Sequence, residues 1–206
     1  MVIVALPGFL GTGRDWDFLR DAGFPIVTPS VSEGPGRVGG ADDVLLGYSM
    51  GGRLALQALL NGAKYKAAVF ISTRVSATTE GREEWARRFE HDDWATLMRD
   101  WNAQPLFGGH VLPRREEDFD RREIARQLRE WSPAALPPAE PRLHELALPT
   151  LWIAGARDPK YVAEAKRAAA LAPKATLEIV DGAAHRVPWE RPDAVVASLR
   201  RFLGGR

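Results

Sequence analysis

The chain has 206 residues, no cysteine, and 28 lysines and arginines against 27 aspartates and glutamates, a net charge of +1. That length suits one well-buried domain with room for a small insertion. The balanced charge argues against nucleic-acid binding, and the missing thiols exclude disulfides and thiolate chemistry.

The opening, Met1-Val2-Ile3-Val4-Ala5-Leu6, lacks a basic leader region and runs straight into Pro7-Gly8, so it reads as a first strand over Val2–Leu6. No apolar run approaches the ~18 residues of a membrane span. The reading is a cytoplasmic protein without membrane insertion. After the first strand, Leu6-Pro7-Gly8-Phe9-Leu10-Gly11 forms a loop whose glycines let backbone come close to a reacting oxygen. A second strand is expected over Pro25–Thr28. The crossover from Thr28 to Val44 is dense in glycine and proline, which argues against a full helix. This edge of the sheet is therefore expected to be thinly covered, or covered by a neighbouring subunit in a homo-oligomer.

The third strand, Val44–Tyr48, leads into Gly47-Tyr48-Ser49-Met50-Gly51-Gly52 and a helix over Arg53–Leu60 that Asn61-Gly62 would end. G-x-S-x-G between a strand and a helix is the pattern of a nucleophile elbow, a sharp turn that lifts a serine from the end of a sheet. A fourth strand is expected over Ala67–Ser72. Residues 73–148 then hold no convincing strand. They carry helical patches at Glu83–Phe89, Asp93–Trp101 and Arg121–Trp131, followed by proline-rich connections. Strands resume at Thr150–Ala154 and Thr176–Val180, with helices at Tyr161–Leu171 and Asp193–Leu203.

Continuously apolar strands alternating with helices predict an α/β domain with a mostly parallel sheet of about six strands. Its core would comprise residues 1–72 and 149–206. The helical insertion 73–148 would sit above the carboxyl edge of the sheet as a lid.

A serine hydroxyl is a weak nucleophile until a base takes its proton and a third group orients that base. Ser49 is the candidate nucleophile, Asp158 in Gly155-Ala156-Arg157-Asp158 the acid, and His185 in Gly182-Ala183-Ala184-His185 the base. Their order, Ser, Asp, His, is that of the α/β-hydrolase fold, and each follows a strand. Asp181 is the rival acid. His91, His110 and His144 read as solvated or supporting residues. The oxyanion hole would use the backbone N–H groups of Met50 and Phe9. No residue pattern suggests a metal or nucleotide: Gly8, Gly11 and Gly13 do not form G-x-G-x-x-G.

Several segments together resemble one family. Gly8-Phe9-Leu10-Gly11-Thr12-Gly13-Arg14-Asp15-Trp16, Gly47 through Arg53, Trp101-Asn102-Ala103-Gln104-Pro105-Leu106-Phe107 and Gly155 through Tyr161 are similar to those of the 2-succinyl-6-hydroxy-2,4-cyclohexadiene-1-carboxylate synthases of menaquinone biosynthesis. The resemblance implies an α/β-hydrolase-fold lyase without cofactor. Its Ser-His-Asp set would remove a substrate proton and expel pyruvate, with no acyl-enzyme. Such a substrate carries several carboxylates, which calls for arginine forks. By similarity, Tyr48, Arg53, Arg88, Trp101, Arg129 and Lys160 would bind this small anionic molecule. Arg53 also stands one helical turn beyond Ser49, whereas arginine-rich helices such as Arg82–Arg88 commonly form solvated i,i+4 pairs. The chain departs from the family in having Pro7 where a histidine is usual, and in the Ser30–Gly40 loop. A serine carboxylesterase working through an acyl-enzyme is the alternative; a binding protein on a degenerate scaffold fits poorly with three intact candidate residues.

Overall fold

The computed structural model describes residues 1–29 and 39–204. Its sheet has six strands: β1 (Ile3–Leu6), β2 (Ile26–Val27), β3 (Val44–Tyr48), β4 (Ala67–Ile71), β5 (Thr150–Gly155) and β6 (Ala175–Val180). All neighbours pair in parallel, in the order β2-β1-β3-β4-β5-β6. The chain first steps outward from β1 to β2, then crosses back and proceeds the other way from β3. The order therefore reverses between β1 and β3, where the following loops splay apart and leave a crevice at the carboxyl edge.

The apolar runs earn their burial on both faces. Val4, Leu6, Leu45, Ala68, Phe70 and Trp152 point to one layer, with α2 (Met50–Leu60) and α6 (Pro159–Leu171). Their neighbours Ile3, Ala5, Val44, Leu46, Val69 and Ile153 point to the other, with α1 (Asp17–Asp21) and α8 (Pro192–Gly204). This two-residue alternation inside an all-apolar sequence is what a covered parallel strand requires.

Between β4 and β5 run α3 (Glu83–His91), α4 (Trp94–Asn102) and α5 (Arg121–Glu130), with no strand among residues 73–148. Their apolar faces form a third cluster around Phe89, Leu97, Trp101 and Leu128. Leu10 and Phe9 from the loop after β1 complete it, so this segment packs on the edge where the crevice opens. The short α1 and α7 (Val187–Glu190) were not anticipated; elements of four or five residues carry too little periodicity to be read. The expected thin cover of the Thr28–Val44 crossover falls mainly on residues 30–38, outside the described residues.

Candidate active site

Ser49 is the turn residue between β3 and α2, with φ 52° and ψ −110°. A positive φ costs a residue with a Cβ about 1–3 kcal/mol, so the surroundings must hold it. Its N–H donates to the Ile71 carbonyl at 2.9 Å, and its own carbonyl accepts from Arg53 N–H at 3.1 Å. At Gly51 a Cβ would overlap the carbonyls of Leu6 and Pro7, so only glycine lets α2 begin against the end of β1. Met50 is the first residue of α2, whose leading N–H groups lack intrahelical acceptors.

Three side chains from separate strand ends meet here. Ser49 Oγ lies 3.0 Å from His185 Nε2, and His185 Nδ1 lies 2.9 Å from Asp158 Oδ2. An ionised carboxylate only accepts, so the neutral tautomer that satisfies both contacts carries its proton on Nδ1 and leaves Nε2 bare toward the hydroxyl. Asp158 is the N-cap of α6: its other oxygen accepts from Tyr161 N–H at 3.2 Å. Gly155, closing β5, lies so near the Ala183 and Ala184 carbonyls that a Cβ would collide with them. That packing sets the His185 loop over the strand end. Ser72 Oγ donates to the His185 carbonyl at 2.9 Å. The Tyr161 ring stands against the imidazole at 4.3 Å.

Asp158 and His185 are almost wholly buried. Burial holds the imidazole below its ordinary range, against the opposing pull of Asp158. Burial likewise pushes the Tyr48 hydroxyl up, so it stays neutral. Asp181, the rival acid, is exposed and does not contact the imidazole. His91 and His144 are exposed, and His110 is half-buried with an unpartnered Nδ1. Among the described residues no three or more His, Asp or Glu side chains converge as metal ligands.

Ser49 and His185 open into a cleft enclosing about 870 Å³, part of it continuous with solvent. Phe9, Tyr48, Met50, Arg53 and Trp101 all line it. The Phe9 ring packs on Trp101 at 4.9 Å, joining the β1 loop to α4. Arg53 Nη2 donates to the Trp131 carbonyl, while its Nη1 is buried without a partner. Burial brings this guanidinium down to about 10, helped by the like charges of Arg74 and Arg82.

Arg88, Arg129 and Lys160 do not line the cleft, a correction to the residues carried over by resemblance. Arg88 is tied to Asp92 and Asp100 at 2.7 and 2.6 Å. Arg129 bridges Glu83 and Glu90 at 2.9 and 2.7 Å, and Lys160 pairs with Glu80 at 3.1 Å. Their charges are answered on the outer face of the insertion and at its border. In their place stand Arg82, which the sequence placed on a solvated helix face, and Arg114 and Arg186, which it did not single out. The adjacency of Arg186 to His185 was the available signal.

The alpha/beta hydrolase family model matches residues 2–198. The 2-succinyl-6-hydroxy-2,4-cyclohexadiene-1-carboxylate synthase of Salmonella newport (strain SL254) is 30% identical over 174 residues, 77% of this chain and 67% of the relative. The synthase of the same name from Salmonella agona (strain SL483) is 28% identical and aligns over 98% of this chain and 93% of its own length. The solved structure of MenH from S. aureus superposes with a TM-score of 0.87 at 23% identity, covering 100% of this chain and 94% of that one. With the parallel sheet, the serine turn and these matches together, the chain belongs to the alpha/beta hydrolase family and is a homologue of those synthases.

Proposed function

We propose that this protein is a carbon–oxygen lyase that eliminates pyruvate from an enolpyruvyl cyclohexene carboxylate, the reaction suggested by the synthase relatives. The observation that carries this reading is the cationic cleft beside Ser49. Arg53 lines it half-buried, its Nη1 occluded and unpartnered, and no carboxylate pairs with its guanidinium among the described residues. A largely desolvated cation left without a counter-charge is costly, and an anionic substrate would answer it.

In this mechanism His185 Nε2 takes the Ser49 proton, and Asp158 stabilises the resulting imidazolium. The Ser49 alkoxide removes a ring C–H proton. The released electron pair becomes a ring double bond, the ether C–O bond breaks, and pyruvate leaves as its enolate, which regains a proton. The N–H groups of Met50 and Phe9 would receive developing negative charge. Helices α3 to α5 would act as the lid over the cleft. No acyl-enzyme forms and no cofactor enters.

Incubation with the enolpyruvyl precursor, followed by pyruvate detection, tests the reading, with p-nitrophenyl acetate alongside. Pyruvate release with negligible ester turnover supports it. Ester cleavage with a burst and no pyruvate would transfer the same side chains to the carboxylesterase reading.

A further inference from the structure

Arg186 is 3% exposed, yet no carboxylate pairs with its guanidinium among the described residues. Glu190 is the near candidate, but its oxygens accept from the backbone N–H groups of Ala184 and Arg186 at 2.9 and 3.1 Å. Arg114, the neighbouring cation, is answered by Asp15 at 2.8 Å. Arg186 is therefore a buried charge that no carboxylate pairs directly among the described residues, with Glu190 acting on it only from a distance.

The group is also held in place. Its Nη1 donates to Asn102 Oδ1 and to the His110 carbonyl, each at 2.6 Å, and its central carbon sits 3.7 Å from the centre of the Phe107 ring. Asn102 is itself fixed, donating to the Met98 carbonyl at 2.8 Å and accepting from Leu112 N–H at 3.0 Å. Of the five guanidinium N–H groups, the two on Nη1 are thus used. The edge formed by Nε and Nη2 has no protein acceptor among the described residues. Neither nitrogen is among the occluded unpartnered atoms, and Arg186 lines the cleft that holds Ser49. Two parallel N–H groups on one edge form the fork that grips a carboxylate side-on.

This position is distinct from that of Arg53: Arg53 reaches from α2 to the Trp131 carbonyl, whereas Arg186 is held from the His185 loop by Asn102 and the His110 carbonyl. We propose that Arg186 is a specificity-determining residue that receives a second carboxylate of the substrate through its Nε–Nη2 edge, so that the cleft selects molecules with two separated carboxylates. The proposal rests on the anionic-substrate reading above. Asn102 would act as a positioning residue behind it.

The test is a calorimetric titration of the full chain with two probes: 2-succinylbenzoate, with two carboxylates on an aryl ketone, and 3-benzoylpropionate, with one. The wild type should bind the dicarboxylate about tenfold more tightly or better. R186M should bring the two affinities within about twofold. If R186M fails to fold on thermal melting, R186K carries the test: it keeps the charge but lacks the fork, and the preference should fall about threefold or more. A wild type with no preference, or a folded variant that keeps it in full, overturns the proposal. Pyruvate release is followed in parallel. No release, with an Arg186-dependent preference intact, would sink the lyase reading and leave this inference standing.

Discussion

One carboxylate oxygen of Asp158 lies 2.9 Å from Nδ1 of His185 while the other caps α6 through Tyr161 N–H. The cap holds the carboxylate in one orientation, and that orientation presents it to the imidazole. The two roles separate by mutation. D158N can still accept at the cap but favours the wrong imidazole tautomer, so kcat should fall about 10³- to 10⁴-fold with little change in stability. D158A should lose comparable activity and also about 1 kcal/mol of stability, read by urea unfolding. Equal stability for the two variants would remove the cap from the argument.

Strain at Ser49 makes a second prediction. S49A and S49G both remove the hydroxyl and should both abolish turnover. Only glycine accepts φ 52° without penalty, so S49G should be more stable than S49A by about 1 kcal/mol. Identical melting temperatures would mean that no strain is stored at this turn.

Acidic pH should act through His185. Burial holds its imidazole below the ordinary value of about 6.5. The neutral base therefore persists below that pH in the folded protein, and the acid limb of kcat/KM should lie below about 6.5. Stability has the matching sign. Above about 6.5 the group is neutral in both states and contributes nothing. As the pH falls from there, the unfolded chain binds a proton that the folded chain resists, and stability declines until the folded value is passed. H185Q should weaken this decline between pH 7 and 5 in urea titrations; an identical slope in variant and wild type contradicts it.

Arg53 should trade stability for binding. R53M removes a half-buried charge whose Nη1 is occluded and unpartnered among the described residues, with two repelling neighbours. We expect the ligand-free variant to melt at the wild-type temperature or higher, by up to about 1 kcal/mol, because replacing an uncompensated charge with a hydrophobe relieves desolvation. Its kcat/KM for the anionic substrate should fall about 100-fold. A marked loss of stability with unchanged kinetics would return Arg53 to a structural role through its bond to Trp131.

The surface cations should behave differently. R88A, R129A and K160A remove charges already paired with acidic groups, so kcat/KM should stay within about twofold of wild type. A tenfold loss in any of them would bring that side chain back toward the substrate.

Much of the architecture was readable because its signals are local. The runs Val44–Tyr48 and Thr150–Gly155 are apolar over their whole length, which a strand covered on both sides demands. The Gly-x-Ser-x-Gly turn is a steric requirement at consecutive residues, and Asp158 and His185 each follow a strand whose end the sequence already marks. A parallel sheet brings such ends to one edge, so the meeting of Ser49, Asp158 and His185 was foreseeable from their order. The short α1 and α7 were not, because a four- or five-residue element is decided by packing.

What the chain by itself determined is therefore the scaffold and the three side chains at its carboxyl edge. Which arginines serve the cleft was decided only by the tertiary structure. Arg129 is claimed by Glu83, 46 residues away, and Lys160 by Glu80, 80 residues away. Arg186 is instead held by Asn102 and His110, 84 and 76 residues away, through neutral oxygens, with no carboxylate paired to it among the described residues. Every arginine carries the same charge in the sequence. Whether that charge is spent inside the protein or offered to a ligand depends on which acceptors folding brings within reach of it, and no local pattern encodes that.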